Sequence, residues 1–351
     1  MTDQSGMKIL VLGYDNANIT FLNRLVRGLT GAGCRVIIGT SHCKALKSSF
    51  ENIDCLWLPP QKSWQPFKYL YLHYSILSSL GTGRFHWLGD LVRGGDWFKN
   101  RLVIFLRYAP FCRVNFDLVY FPWNSAAITY QGLYQLGKPE VISCRGSQVN
   151  IRPHQPGQEE YAAGLKWTLE NAAAVHCVSE DIRGEAEKFG LVGEKSFIIR
   201  PAVDPDFFTP PDEKEINQHL KLITTGSLIW VKGYEYLLLS LKRLLSQGID
   251  ADLDILGDGP MHQNILFAAH DLGVGNRVHL HGRLTPGQVL DRLQKADIFV
   301  LSSLSEGISN AALEAMSCGL PIVTTEAGGM REAVTDGVEG FVVSMRDPEA
   351  L

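Results

Sequence analysis

The chain has 351 residues, 45% hydrophobic and 20% charged, with a formal net charge of -4. This length exceeds one ordinary domain and points to two. The composition is that of a soluble globular protein, and the charge gives no reason to expect a nucleic-acid partner. In chain order, short β-branched runs predict strands at 8–12, 35–39, 55–58, 118–121, 141–144, 176–178 and 197–199. A second series is predicted at 222–225, 253–256, 278–281, 298–301, 322–324 and 341–343. Helical patterns fall between strands, as at 234–246, 287–295 and 310–317. Strands alternating with helices predict parallel, doubly wound α/β sheets. From Arg200 to Pro211 the prolines 201, 205, 210 and 211 predict a stiff, non-helical connector. The expected domains are therefore 1–203 and 204–351. Asp347-Pro348-Glu349-Ala350-Leu351 reads as a first helical turn that stops, as though a closing helix were missing.

The seven cysteines are scattered without a C-x-x-C pair, which predicts reduced thiols in a cytosolic protein. Met1 to Met7 is too short and polar for a signal peptide, and no run of about 18 apolar residues exists to span a bilayer. One stretch departs from this average. Residues 64–113 combine an aromatic-rich segment, Trp64 to Tyr74, with Arg84, Arg93, Lys99, Arg101, Arg107 and Arg113 against Asp90 and Asp96. That mixture suits peripheral contact with anionic lipid at the inner face of a membrane. The competing reading is a solvated basic face over core aromatics.

The most informative segment is Ser302-Ser303-Leu304-Ser305-Glu306-Gly307-Ile308-Ser309-Asn310, continuing through Glu314 to Gly319 and Pro321. A strand runs into it, Ser309 or Asn310 is a suitable N-cap, and Gly319 and Pro321 end the helix. Glu306 is thus expected in the strand-to-helix loop and Glu314 a little over one turn into the helix. Backbone N–H groups at such a helix start suit a phosphorylated ligand, with carboxylates at hand for its hydroxyls.

The second half resembles the nucleotide-sugar-binding domain of retaining family-4 glycosyltransferases. The matching pieces occur in order: Gly226 to Glu235, Ile255-Leu256-Gly257-Asp258-Gly259-Pro260, Val278 to Arg283, the E-x7-E segment Glu306 to Glu314, Glu326 to Glu332, and Asp336 to Gly340. More loosely, Arg200-Pro201-Ala202-Val203-Asp204 stands at the family's interdomain motif and Arg145-Gly146-Ser147 at its first-domain H-G motif. The resemblance implies two Rossmann-like domains facing across a cleft (GT-B), closing about their linker. It implies transfer of a sugar from a nucleotide-diphosphate sugar to an acceptor hydroxyl with retention, without cofactor or metal. The acceptor would be a growing surface polysaccharide or a lipid-linked glycan.

The leaving diphosphate needs a cation and aligned donors in a dry site. Lys232 is the candidate cation, a compact charge able to reach phosphate oxygens. The resemblance further implies that the N–H groups of Gly307, Ile308, Ser309 and Asn310 serve the sugar and phosphates. It places Glu306 on sugar hydroxyls and Glu314 on the ribose, not as a hydrolase-type acid and base. Gly226, Ser227, Gly257 and Asp258 complete the donor loops, and Arg283 and Leu284 border the base. Ser227 replaces an arginine common among relatives, and Arg145 replaces a histidine. Arginine cannot act as a base at neutral pH, so Arg145 is the candidate for the charge missing at Ser227. The first-domain loop lacks the family's glycine pair and offers Asp15 and Asn16 instead.

Asp252-x-Asp254 is formally a metal-binding D-x-D, but no apolar strand precedes it, and a strand opening is expected. His279 and His281 share one strand face without a third ligand, so packing or base contact is expected. Gly257-x-Gly259 lacks the dinucleotide fingerprint. Two other activities stay open on this sequence: a nucleotide-sugar epimerase of the same fold, and a nucleotide-sugar-binding protein with impaired turnover.

Overall fold

The structure, a computed structural model, describes residues 6–13, 20–43, 46, 50, 53–58, 85–94, 98–214 and 218–351. Asp15 and Asn16 lie outside the described residues, as do 64–84 and 95–97 of the basic-aromatic stretch. The chain forms two compact units. The first comprises Met1–Cys144, Arg152–His176 and Ala186–Phe197, and the second Arg145–Ile151, Cys177–Glu185 and Ile198–Leu351. The expected domains were 1–203 and 204–351; here 198–203 groups with the second unit, as do two earlier segments that each carry helical residues.

The first sheet holds β1 (Lys8–Leu12), β2 (Arg35–Thr40), β3 (Asp54–Trp57), β4 (Leu118–Phe121), β5 (Glu140–Cys144), β6 (Ala174–Cys177) and β7 (Ser196–Ile198), all in the first unit but for the last residues of β6 and β7. Its order is β3-β2-β1-β4-β5-β6-β7. β1 runs parallel to β2, with Lys8 opposite Arg35 and Leu12 opposite Gly39, and parallel to β4 on its other side. Such central strands are covered on both faces and therefore read as continuous apolar runs; Leu10, Val11 and Leu12 are fully buried. The helix Thr20–Gly31 inserts Leu22 and Val26 among Ile9, Val11, Val36 and Ile38.

Cys43, just beyond β2, and Cys55, on β3, form a disulfide with Cα atoms 5.8 Å apart. The expectation of seven free thiols is corrected here. Parallel pairing sets Ile38 opposite Cys55, so the fold brings together two cysteines whose spacing carries no framework signature. The other five cysteines form no disulfide.

The second unit holds β8 (Leu220–Thr225), β9 (Ala251–Leu256), β10 (Val278–Leu280), β11 (Ile298–Leu301), β12 (Ile322–Thr325) and β13 (Gly340–Val343), in the order β10-β9-β8-β11-β12-β13. The pairings are parallel throughout this sheet. Successive strand residues point to opposite faces. Ile223, Phe299 and Leu301 pack with Ala312 and Ala315 of the helix Asn310–Ser317, while Leu222, Val300 and Leu253 pack with Leu237, Leu238 and Leu241 of the helix Tyr234–Ser246. The proline-rich connector docks on this unit: Phe208 is buried in its core, Ser317 Oγ donates to Phe208 O (2.6 Å) and Gln294 Nε2 to Thr209 O (2.9 Å). Asp347 Oδ1 accepts from Glu349 N and Ala350 N, making a capped turn, and Ser240 Oγ donates to Pro348 O (2.9 Å). No helix among the described residues is long and apolar enough to cross a membrane.

Candidate functional site

In both sheets the strand order reverses beside the first strand of the unit, and ligands in doubly wound folds bind outside the carboxyl ends at that switch point. In the second unit those ends belong to β8 and β11. After β8, Leu228 N donates to Asp258 O (3.0 Å), and a tight turn at Trp230–Lys232 leads into the helix Tyr234–Ser246. The two switch-point loops are joined: Leu304 N donates to Val231 O (2.7 Å) and Ser302 Oγ to Lys232 O (2.9 Å). This brings Lys232 Nζ to 2.5 Å from Glu306 Oε1, with the side chains only 19% and 11% exposed. Ser303 Oγ donates to the same oxygen at 2.7 Å. Ser303 is fully buried, and its carbonyl accepts from Thr325 Oγ1 (2.5 Å). Tyr234 donates to Gly226 O and Ser227 O (3.4 Å each). Burial first, and the nearby charge of Glu306 second, push its phenol up.

The Glu306–Gly307 peptide is enclosed by backbone. A Cβ on Gly307 would collide with Arg145 O and Val178, so only glycine fits. Gly328 has a φ of +58°, and a Cβ there would collide with Glu306 O. Gly329 N donates to Gly307 O (2.7 Å), and Asn150 Nδ2 reaches Glu306 O at 3.5 Å. Glu332 accepts from Asp181 N (3.1 Å) and pairs with Arg200 (2.8 Å). Arg145 is thus brought to the Glu306 loop through its main chain, as part of the second unit.

Ser309 caps the helix Asn310–Ser317, its Oγ accepting from Ala312 N (3.4 Å). Its own N–H donates to Met330 Sδ at 3.4 Å. The sulfur belongs to a fully buried methionine. Ile308 is buried and Asn310 exposed. Glu314 is half-buried in the helix; burial, and then the charge of Glu314, push the Cys318 thiol up to about 11.

Gly226 and Gly257 stand at adjacent strand ends, donating to Leu256 O (2.9 Å) and Gly282 O (2.8 Å) respectively. Ser227 and Asp258 are exposed, and Asp258 Oδ1 accepts from Gly259 N (2.8 Å). Arg283 is exposed, whereas Leu284 packs against the core. Asp252 and Asp254 lie on β9 and face bases. Asp252 meets His219 (2.6 Å) and Arg277 (3.1 Å); Asp254 meets His281 (2.6 Å) and Arg292 (3.8 Å). Asp336 to Gly340 is a turn held by Asp336 Oδ1, which accepts from Val342 N (2.9 Å). Sequence reasoning missed Ser303, Tyr234, Asn150 and Glu332. Ser303 carried a signal, standing three residues before Glu306 in the same loop, and Tyr234 and Glu332 lie inside family-like segments; Asn150 carried none.

A cation and a carboxylate held together at a switch point can exchange partners with an anionic, hydroxyl-bearing ligand. The profile of Glycosyltransferase Family 4 matches residues 20–207, more than half the chain, and that of Glycosyl transferases group 1 matches 208–351. The chain belongs to glycosyltransferase family 4. Among its relatives, the amylovoran biosynthesis glycosyltransferase AmsK of Erwinia amylovora is 29% identical over 168 residues, 46% of this chain and 41% of that protein. The phosphatidylinositol N-acetylglucosaminyltransferase gpi3 subunit of Schizosaccharomyces pombe is 26% identical over 178 residues, 50% of this chain and 39% of that one. The chain therefore spans less than half the length of these family relatives. The crystal structure of Anabaena Alr3699/HepE with UDP and glucose superposes with a TM-score of 0.70 at 17% identity, covering 98% of this chain and 87% of that one. At that identity the likeness concerns the fold alone, and the fold is GT-B.

Proposed function

We propose that this family member is a retaining glycosyltransferase that moves a sugar from a nucleotide-diphosphate sugar to an acceptor hydroxyl, without a metal. The observation that supports it most is the Lys232–Glu306 pair at the switch point of the second sheet. In this reading Lys232 neutralises the diphosphate as the bond from the anomeric carbon to the phosphate oxygen breaks. Glu306 holds sugar hydroxyls, Glu314 the ribose, and Arg145 adds positive charge on the Glu306 side. The departing phosphate oxygen takes the acceptor proton while the new glycosidic bond forms on the same face. Asp252 and Asp254 are taken up by histidine and arginine partners, which supports a reaction independent of any D-x-D metal site.

The relatives named for amylovoran and for a phosphatidylinositol-linked sugar support a polysaccharide or lipid-linked acceptor, and HepE supports UDP-sugars as the first donors to try. A lipid-linked acceptor fits a cytoplasmic enzyme touching the inner membrane face through 64–113. Within that stretch Arg93 pairs with Asp90 (2.5 Å) and Arg107 donates to Thr129 O (3.2 Å). The test is incubation with a panel of nucleotide sugars, with and without acceptors, following release of nucleoside diphosphate in the presence of EDTA. Acceptor-dependent release is the expected result. Interconversion of the donor without release would point to an epimerase, and binding without turnover would reject transfer.

A further inference from the structure

Glu306 uses one carboxylate oxygen for both of its donors: Oε1 receives Lys232 Nζ at 2.5 Å and Ser303 Oγ at 2.7 Å, while Oε2 accepts no hydrogen bond among the described residues. If the second unit binds a nucleotide-diphosphate sugar, as proposed above, the two ligand-binding groups begin by occupying each other. The diphosphate carries more charge than one carboxylate and competes for the Lys232 ammonium. A carboxylate 11% exposed cannot lose its cation and turn to bulk water instead. It needs a donor already in place. Ser303 is that donor: it is fully buried, so its hydroxyl does not compete for solvent. Its backbone is fixed by Thr325 Oγ1 on its carbonyl and by the neighbouring Ser302 and Leu304 contacts to the Lys232 loop.

We propose that donor binding is a partner exchange in which the diphosphate takes Lys232 and Ser303 keeps Glu306, making Ser303 a positioning residue. Ser303 holds Oε1 in both states, and Oε2 is the oxygen offered to a sugar hydroxyl. The consequence is a specific coupling. Glu306 opposes the binding of a bare nucleoside diphosphate by competing for Lys232, and Ser303 eases that opposition by stabilising the carboxylate left behind.

Calorimetric titration of UDP and GDP into the wild type, Glu306→Gln, Ser303→Ala and the double variant tests this. The nucleotide that the wild type binds is the probe. Glu306→Gln is expected to bind it roughly 3- to 10-fold more tightly, because no carboxylate competes for Lys232. Ser303→Ala is expected to weaken it about 10-fold, the scale of one hydrogen bond to a charged group. In the Glu306→Gln background the same Ser303→Ala change should have almost no effect, a non-additivity that a merely structural serine would not produce. Should Ser303→Ala fail to fold, Ser303→Cys, close in volume and a weaker donor, carries the same cycle with a smaller loss. Equal weakening by the serine change in both backgrounds would overturn the positioning role, and unchanged or weaker binding by Glu306→Gln would overturn the exchange. Wild-type protein that binds neither nucleotide would instead sink the donor reading on which the exchange rests.

Discussion

Glu306 of the second unit and Glu140 of the first are both withdrawn from water beside a parallel sheet, but at opposite ends of their strands. Glu306 follows the carboxyl end of β11 and is met by an ammonium and a hydroxyl. Glu140 is the first residue of β5, 5% exposed, and its Oε1 has no hydrogen-bond partner among the described residues. Burial alone pushes its carboxyl up to about 7. Loops at the carboxyl ends of a doubly wound sheet converge on the switch point, so a carboxylate there can be held for a ligand. At the amino end it has only the core to answer to, and it stays neutral when it can.

The largest expected effect breaks the satisfied side of this contrast. Lys232→Met keeps most of the side-chain volume but leaves Glu306 charged beside one hydroxyl. Removing one member of a largely buried pair costs roughly 3–5 kcal/mol, read from the denaturation midpoint, together with loss of donor binding. The Lys232→Met/Glu306→Gln pair should recover much of the stability and none of the binding. If the double variant is no more stable than the single one, the ion pair is not what sets the cost.

The next prediction concerns the unsatisfied side. Burial raises the Glu140 carboxyl from its ordinary 4.5 to about 7 in the folded chain. The folded state therefore binds this proton more tightly than the unfolded state. The associated stability is complete below about pH 4.5 and is lost as pH rises through about 7. Glu140→Gln removes that dependence, and at pH 8 it should be more stable than the wild type by about 3 kcal/mol. Parallel stability-versus-pH curves for the two proteins would show that Glu140 has a partner after all.

Cys43–Cys55 offers a smaller test confined to the first unit. Alkylation of denatured, unreduced protein should label five cysteines and leave Cys43 and Cys55 unmodified. Prior reduction should lower stability by about 2–3 kcal/mol, the scale for closing a short loop. Labelling of all seven would restore the reduced-thiol expectation.

How far these features were legible follows from what each depends on. β1, β4 and β11 run from residue to residue as expected, as do the helices Tyr234–Ser246 and Asn310–Ser317. Local apolar runs and chain-breaking residues determine those boundaries. Lys232 and Glu306 were legible because each sits in a loop whose residues match a family pattern. Ser303, Asn150 and Glu332 act across 3 to 156 residues of chain; spacing signals only the three-residue case, and Glu332 shows only as the end of a family-like segment. The disulfide required the β2–β3 register, and the membership of Arg145–Ile151 in the second unit required the close approach of Arg145 to Gly307. Neither is a local property.

The smallest expected effect asks whether the helix start beside Glu306 serves the ligand or only the fold. Ser309 is 5% exposed, its hydroxyl caps Ala312 N, and its N–H is held by Met330 Sδ. Both polar groups are therefore engaged within the protein. Ser309→Ala should cost about 1 kcal/mol of stability, the usual loss for an N-cap, while nucleotide affinity changes less than about 2-fold, under 0.5 kcal/mol. A stability loss of that size with unchanged affinity would place Ser309 with the framework, separating it from Ser303 six residues earlier, whose hydroxyl points to the carboxylate. An affinity loss larger than the stability loss would reverse that assignment and return the helix start to the ligand, with the Met330 contact given up on binding.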